Sequence, residues 1–570
     1  MKYCLKNDKI YFKFVLIYML QMNLRIFLII VFLLNLVQGI CTPIIDDEAY
    51  YWMWSLRLDA GYFDHPPMIA TWIKLSDFFL DGEIGARLIT IIMNTISAFL
   101  MWKILSPQTK TQIKSFVLIY FSLVFVQIFS WVSTPDAPLL FFTIFYLYSL
   151  KRFIKESSVV NTILLSICFA GVMYSKYHGI LVLIFTLVPI LSYLYKKPMF
   201  YLAIVGSLIL YSPHFYWLYQ NDFPPISYHF IDRSAEQKFS FAQPLIYLVT
   251  ALLGAAGFLV YHVIKSIQEV DRSDLFKRSV FWLAIGPFFF FLISTLKDTT
   301  QAQWLLISYV ACGLLLYWKY SDGLSKSFIM TSGLTIGLIF IVRVIVLIPG
   351  VSPLYETKKF GQLAGNEVSE EVVVFEKYQE ASIFQFYNRE KRGVVYRTLG
   401  NRNSQFTLWN DEELLNQPFN YISPWLQSSV SFEGLKEKEY FINKIENYQP
   451  IHQIKGDFIS IDNNLIDTEN EIITNDLNVF EIEISNIDWE AVQAANNRFE
   501  FFMTKDQQYN IVEVLPMELN IASRSEEIVV LKSTFKTNLE AGEYNLYMGI
   551  TPPNLITKFV SKPLKIIVSE

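Results

Sequence analysis

Long apolar runs recur through the first 350 residues of this 570-residue chain. Most of them, at roughly 17 to 22 residues, are long enough to cross a bilayer core as helices. They lie near residues 24–40, 86–104, 114–133, 137–150, 159–174, 178–195, 198–212, 244–264, 279–295, 304–318 and 327–348. This pattern predicts an α-helical polytopic membrane protein of about eleven spans. Broken or re-entrant helices among the shorter runs would change that count without moving the rest of the chain. A net charge of −5 without a basic stripe excludes a nucleic-acid partner. Cys4, Cys41, Cys168 and Cys312 all precede the polar tail, so no disulfide framework is implied.

Charge orients the spans. Lys103 with Lys110, Lys151–Arg152 with Lys155, Lys196–Lys197, Lys265 with Lys277–Arg278, and Lys319 with Lys326 fall on one side, which the positive-inside rule makes cytoplasmic. The opposite side receives the loop at 41–85, the junctions at 134–136 and 175–178, the loop at 212–243 and everything after 350. The expected location is the cytoplasmic membrane, with an extracytoplasmic tail. Phe12–Leu20 is too short to span and lacks a cleavage pattern, so an uncleaved first helix is expected.

From Leu354 the long apolar runs stop and Asn, Glu and Lys become frequent. Residues 1–353 are therefore read as the membrane domain, 354–465 as a small α/β domain and 466–570 as a β-sandwich-like domain. Val372–Phe375, a helix around Glu380–Tyr387 and Val394–Tyr396 mark the α/β part. The alternation of Phe480, Ile482 and Ile484 with Glu481, Glu483 and Ser485 marks a half-buried strand.

The chemistry-bearing residues cluster on the external side. Asp46-Asp47-Glu48-Ala49-Tyr50-Tyr51-Trp52-Met53-Trp54-Ser55 follows the first span, and Gly61-Tyr62-Phe63-Asp64-His65-Pro66-Pro67 comes next. Carboxylates at a membrane edge are costly unless paired or facing water, which makes them functional-site candidates. The plainer alternative is that the three acids occupy the start of a loop helix, where negative charge is favoured. Further candidates are Asp136 in Thr134-Pro135-Asp136-Ala137-Pro138, a potential helix cap or holder of a basic residue, and three cations outside the cytoplasmic clusters: Lys176, Arg233 and Arg343. Arg343 lies inside the last span, where it either snorkels, pairs internally or binds an anion.

Together these segments resemble the first external loop of GT-C membrane glycosyltransferases, the group containing protein O-mannosyltransferases and lipid A aminoarabinose transferases. The resemblance extends more weakly to about residue 410. It implies a GT-C fold and a polyprenyl-phosphate-linked sugar donor. The acceptor would be a hydroxyl of a lipid, glycan or protein, attacking with inversion. Asp47, which directly precedes Glu-Ala-Tyr-Tyr, matches the acidic residue proposed as the base, with Glu48 beside it as a second catalytic candidate. Asp64 and His65 match a segment that contacts lipid phosphate or metal, although His65 stands where the family has Lys. Asp136, Lys176 in Ser175-Lys176-Tyr177, Arg233 and Arg343 become donor-binding candidates, and Tyr51 and Trp54 platforms for sugar or isoprenoid. The resemblance also raises a divalent metal at Asp64 and His214. The histidines show no close ligand spacing, so no metal ligand is assigned. Gln303–Trp304 looks like a diverged His-Trp element of the family. The rival functions are a transporter or flippase for lipid-linked saccharides, against which the halves show no repeat, and an inactive envelope scaffold.

Overall fold

A computed structural model describes residues 23–227 and 242–569, apart from 297–299, 397–402, 410, 447, 449–454, 462–463, 466–470, 474–477, 486–496, 506–510, 518–519, 525–527, 536 and 562. Arg233 lies outside the described residues, as do the first 22 residues. The chain divides into two compact units, Met1–Tyr355 and Glu356–Glu570.

The first unit is helical: α1 (Leu24–Cys41), α2 (Asp46–Leu56), α3 (Met68–Asp77), α4 (Gly82–Leu105), α5 (Lys110–Ser122), α6 (Val124–Phe129), α7 (Asp136–Lys155), α8 (Val159–Ser175), α9 (Gly179–Leu187), α10 (Pro198–Gln220), α11 (Ala242–Ala256), α12 (Val260–Glu269), α13 (Leu275–Ser294), α14 (Leu306–Tyr320) and α15 (Lys326–Val346). Six of these, α1, α4, α7, α10, α13 and α15, are long and apolar enough to cross a membrane, or seven spans if a bent pair is included. By that criterion the expected count of about eleven is not reached among the described residues. The reason is that several apolar runs are broken. The run at 114–133 becomes α5 and α6, separated at Leu123, whose ψ of 92° leaves the helix. Gln127 Nε2 then donates to Tyr120 O at 2.9 Å, supplying a side-chain partner where the helix is interrupted. The run at 244–264 bends by 97° between Leu252 and Gly257. Gly257 has φ +52°, a left-handed conformation that glycine adopts without a Cβ penalty. On α15 the side chains of Leu338, Phe340, Ile341 and Val342 are exposed, as lipid-facing side chains would be.

In the second unit, Val372–Phe375 pairs in parallel with Arg392–Val395 and Phe419–Ser423. The helix Tyr378–Tyr387 connects the first two strands. Glu439–Ile445 and Ser431–Glu433 extend this sheet antiparallel to five strands. A five-stranded sheet around Asn478–Ser485 and a six-stranded sheet around Gly542–Thr551 follow. Phe480, Ile482 and Ile484 are fully buried, and Phe480 meets Phe501 of the facing sheet at 5.8 Å between rings. The alternation read in the sequence is thus the inner face of a β-sandwich. Lys455–Ile461 already pairs with Asn478–Ser485, so the sandwich begins ahead of residue 466.

Candidate active site

Asp46, Asp47 and Glu48 form the first turn of α2, where the unsatisfied N–H groups and the helix dipole favour negative charge. Their fates differ. Asp46 and Asp47 are exposed, whereas Glu48 is fully buried. Glu48 pairs with Arg87 of α4, whose Nε donates to Oε1 at 2.8 Å and whose Nη2 reaches Oε2. Glu48 also accepts the Ser133 N–H at 2.7 Å and the Ile45 N–H at 3.3 Å. The Arg87 guanidinium further donates to the carbonyls of Gly39 (3.0 Å), Thr42 (2.6 Å) and Pro43 (3.0 Å). A buried ion pair is tolerated when its remaining donors and lone pairs are satisfied in this way. The expectation of a catalytic Glu48 is therefore corrected: both of its oxygens hold fixed partners, and it ties the end of α1, the start of α2, α4 and the segment before α7 together. Asp47 is left on the exposed side of that framed turn.

Downstream, the Tyr50 hydroxyl donates to Asp64 Oδ2 at 3.1 Å, and Asp64 is buried. Trp54 stacks on Tyr62 with centroids 4.4 Å apart, Tyr51 meets Trp54 edge-on at 4.8 Å, and His65 lies 6.1 Å from the Tyr51 ring. The Tyr62 hydroxyl lies 3.1 Å from the carbonyls of both Trp54 and Arg57, which share its single hydrogen, and accepts the Asp59 N–H at 3.1 Å. Burial pushes the Tyr62 phenol pKa up, so the hydroxyl stays protonated and able to donate. The structure thus gathers Tyr51, Trp54, Asp64 and His65 into one loop. It also corrects the expected role of Trp54: at 0% exposure the indole is the core of the loop, because packing against Tyr51 and Tyr62 removes its apolar area from water. Tyr51, also buried, shares that packing.

Asp136 begins α7 and Lys176 follows α8, and their ends meet in a second buried pair. Lys176 Nζ lies 3.0 and 2.9 Å from the two carboxylate oxygens of Asp136. Asp136 thus holds a basic residue in place rather than capping its helix by a side-chain bond. Ser133, three residues before Asp136, is the residue whose N–H Glu48 accepts, so the first loop and the Asp136–Lys176 junction share one frame.

Arg343 is drawn inward from α15. Its Nη2 donates to Asn35 Oδ1 at 2.9 Å and to the Gln127 carbonyl at 2.5 Å, and Gln38 Nε2 donates to the Arg343 carbonyl at 3.3 Å. Nη1 is buried and has no hydrogen-bond partner among the described residues. The option of a metal shared by Asp64 and His214 does not fit. Both His214 nitrogens face fixed partners, the Ala60 carbonyl at 2.8 Å and the Tyr177 hydroxyl at 3.1 Å. Among the described residues, no three His, Cys, Asp or Glu side chains gather as a metal site. Arg87, Gln127 and Tyr177, which the structure places in this frame, were not among the candidates drawn from the sequence. The signal for Arg87 was available, since a charge in the opening turn of an apolar run calls for a partner.

A family model described as dolichyl-phosphate-mannose-protein mannosyltransferase matches residues 64–217, less than half of the chain. Lipid A galacturonosyltransferase RgtD from Rhizobium johnstonii is 24% identical over 308 residues, covering 49% of this chain and 62% of RgtD, so the chain spans less than two thirds of that relative. The crystal structure of ArnT from Cupriavidus metallidurans in the apo state matches with a TM-score of 0.55 at 12% identity, covering 74% of this chain and 97% of ArnT. ArnT from the same organism bound to undecaprenyl phosphate matches with a TM-score of 0.53 at 12% identity and the same coverage. The chain is a multi-pass membrane protein with a GT-C fold like that of ArnT, joined to a C-terminal β-rich region.

Proposed function

We propose that this protein is a membrane glycosyltransferase that moves a sugar from a polyprenyl-phosphate-linked donor to an acceptor hydroxyl at the extracytoplasmic face. The names of RgtD and of the dolichyl-phosphate-mannose-protein mannosyltransferase model, and the undecaprenyl phosphate held by ArnT, support the reaction class and the donor lipid. The observation that carries the reading is the first turn of α2. The buried Glu48–Arg87 pair fixes this turn against the segment leading to Asp136–Lys176, while Asp47 remains exposed. Asp47 accepts the acceptor hydroxyl proton, and the oxygen attacks the anomeric carbon from the face opposite the phosphate. The bond from that carbon to the phosphate oxygen breaks with its electron pair on the phosphate, so the sugar is inverted. Lys176 and the Nη1 arm of Arg343 stabilise the charge that develops on the departing lipid phosphate. Asp64, His65 and Arg233 complete the donor site in this reading, and the acceptor is a lipid, glycan or protein.

Purified protein incubated with polyprenyl-phosphate sugars and an envelope extract tests this. Release of free polyprenyl phosphate, lost in Asp47→Asn, is the expected result. Translocation of an intact lipid-linked sugar across proteoliposomes, without cleavage, would establish the transporter instead.

A further inference from the structure

The segment that leads to Asp64 and His65 is seated on α10. Trp217 Nε1 donates to Asp59 Oδ2 at 2.9 Å, and the Ala60 carbonyl lies 2.8 Å from His214 Nδ1. At Gly61 an added Cβ would come within 2.4 Å of the Trp217 ring and 2.8 Å of His214 Nδ1, so the bare backbone lies against both side chains. The two rings are parallel within 5° and one helical turn apart. His214 is fully buried. A carbonyl oxygen only accepts, so Nδ1 carries the hydrogen, and in the neutral imidazole Nε2 then accepts from the Tyr177 hydroxyl at 3.1 Å. Tyr177 directly follows Lys176, whose ammonium is held by Asp136. The imidazole therefore bridges two parts of the chain that its own helix does not contain: the turn bearing Lys176 and the loop bearing Asp64 and His65.

We infer that His214, in its Nδ1–H tautomer, is a positioning residue that latches the Asp59–Pro67 loop to the Lys176–Tyr177 turn and so sets the spacing of the lipid-phosphate site. This rests on the function proposed above only in its last step. The latch itself is independent of the reaction. Asn places an amide donor where Nδ1 stands, within reach of the Ala60 carbonyl. Gln places its amide nearer Nε2 and abandons Ala60. Trp217→Phe keeps an aromatic ring on α10 but removes the bond to Asp59 and part of the indole that lies against Gly61.

Hydrogen exchange of residues 59–67 should be read by mass spectrometry in the full-length purified protein, with the Kd for undecaprenyl phosphate measured on the same samples. In His214→Gln, exchange in the loop should rise about tenfold, the equivalent of one lost hydrogen bond, and the Kd should weaken by a similar factor. Trp217→Phe should move both in the same direction, and His214→Asn should restore both towards the parent. Unchanged loop exchange in both His214→Gln and Trp217→Phe would overturn the latch. Faster exchange with an unchanged Kd would overturn its positioning role. If the parent does not bind undecaprenyl phosphate, the donor reading fails and the positioning role falls with it, while the exchange measurement still decides the latch.

Discussion

Replacing Arg87 by Met should be among the most damaging single changes in the helical unit. The substitution keeps an unbranched chain of similar reach but removes the cation from a Glu48 carboxylate with 0% exposure. Breaking a buried pair from one side costs about 3–5 kcal/mol, because the remaining charge has neither water nor partner. The carbonyls of Gly39, Thr42 and Pro43 lose their donors as well. Against a total stability typically of about 5–15 kcal/mol, that is a large share. Glu48→Met/Arg87→Met should be less damaging than Arg87→Met alone, since no unpaired charge remains. The double variant will not match the parent, because the Ser133 N–H and the three carbonyls stay unserved. Thermal unfolding in detergent can be followed by tryptophan fluorescence, with Trp131, whose ring centroid lies 5.2 Å from Arg87 Cζ, as a local reporter. A full double-mutant cycle with Glu48→Met should give a coupling of at least about 1.5 kcal/mol. Arg87→Met melting with the parent, or additive effects in the cycle, would refute the argument.

Asp47→Asn should lower transfer by at least about a hundredfold, the lower range for a positioned general base, with undecaprenyl phosphate binding retained, while Asp46→Asn is much milder. Near-parental turnover in a folded Asp47→Asn preparation would move the base elsewhere. Arg343→Ala should weaken the Kd for undecaprenyl phosphate, and an unchanged Kd would reduce Arg343 to a tie between α1, α6 and α15. In the second unit, Glu376 accepts from the Ser423 and Tyr421 hydroxyls and Glu380 from Tyr440, and burial pushes both carboxyls above the usual range. The folded unit thus holds these protons more tightly than the unfolded chain. Its stability should fall as pH rises from the ordinary carboxyl range through the raised values, and level off above them. Glu380→Gln should flatten that slope in thermal unfolding followed from about pH 4 to pH 8, and a slope identical to the parent would contradict the assignment. A cysteine placed in 356–570 should react with an impermeant thiol reagent in intact spheroplasts. Labelling only after lysis would reverse the topology.

The amino-acid sequence by itself determined what is local. Apolar run length made the chain a membrane protein, the period-two alternation at Phe480–Ile484 set one face of a strand, and the acidic opening of α2 was legible as a helix start. The candidate loop was legible too, because its acids and aromatics are contiguous. Tertiary structure decided which acid is exposed and which is locked away. Asp47 and Glu48 are neighbours in the chain, yet one faces outward while the other meets Arg87, 39 positions further along. Asp136 and Lys176 are 40 positions apart, Gln127 and Arg343 216, and Ala60 and His214 154. Such pairings depend on which helix ends are brought side by side, and no periodicity within either segment encodes that. The same limit explains the broken spans. A hydropathy run measures the wish to leave water but not the backbone angle at Leu123, which Gln127 helps to accommodate by donating to Tyr120 O.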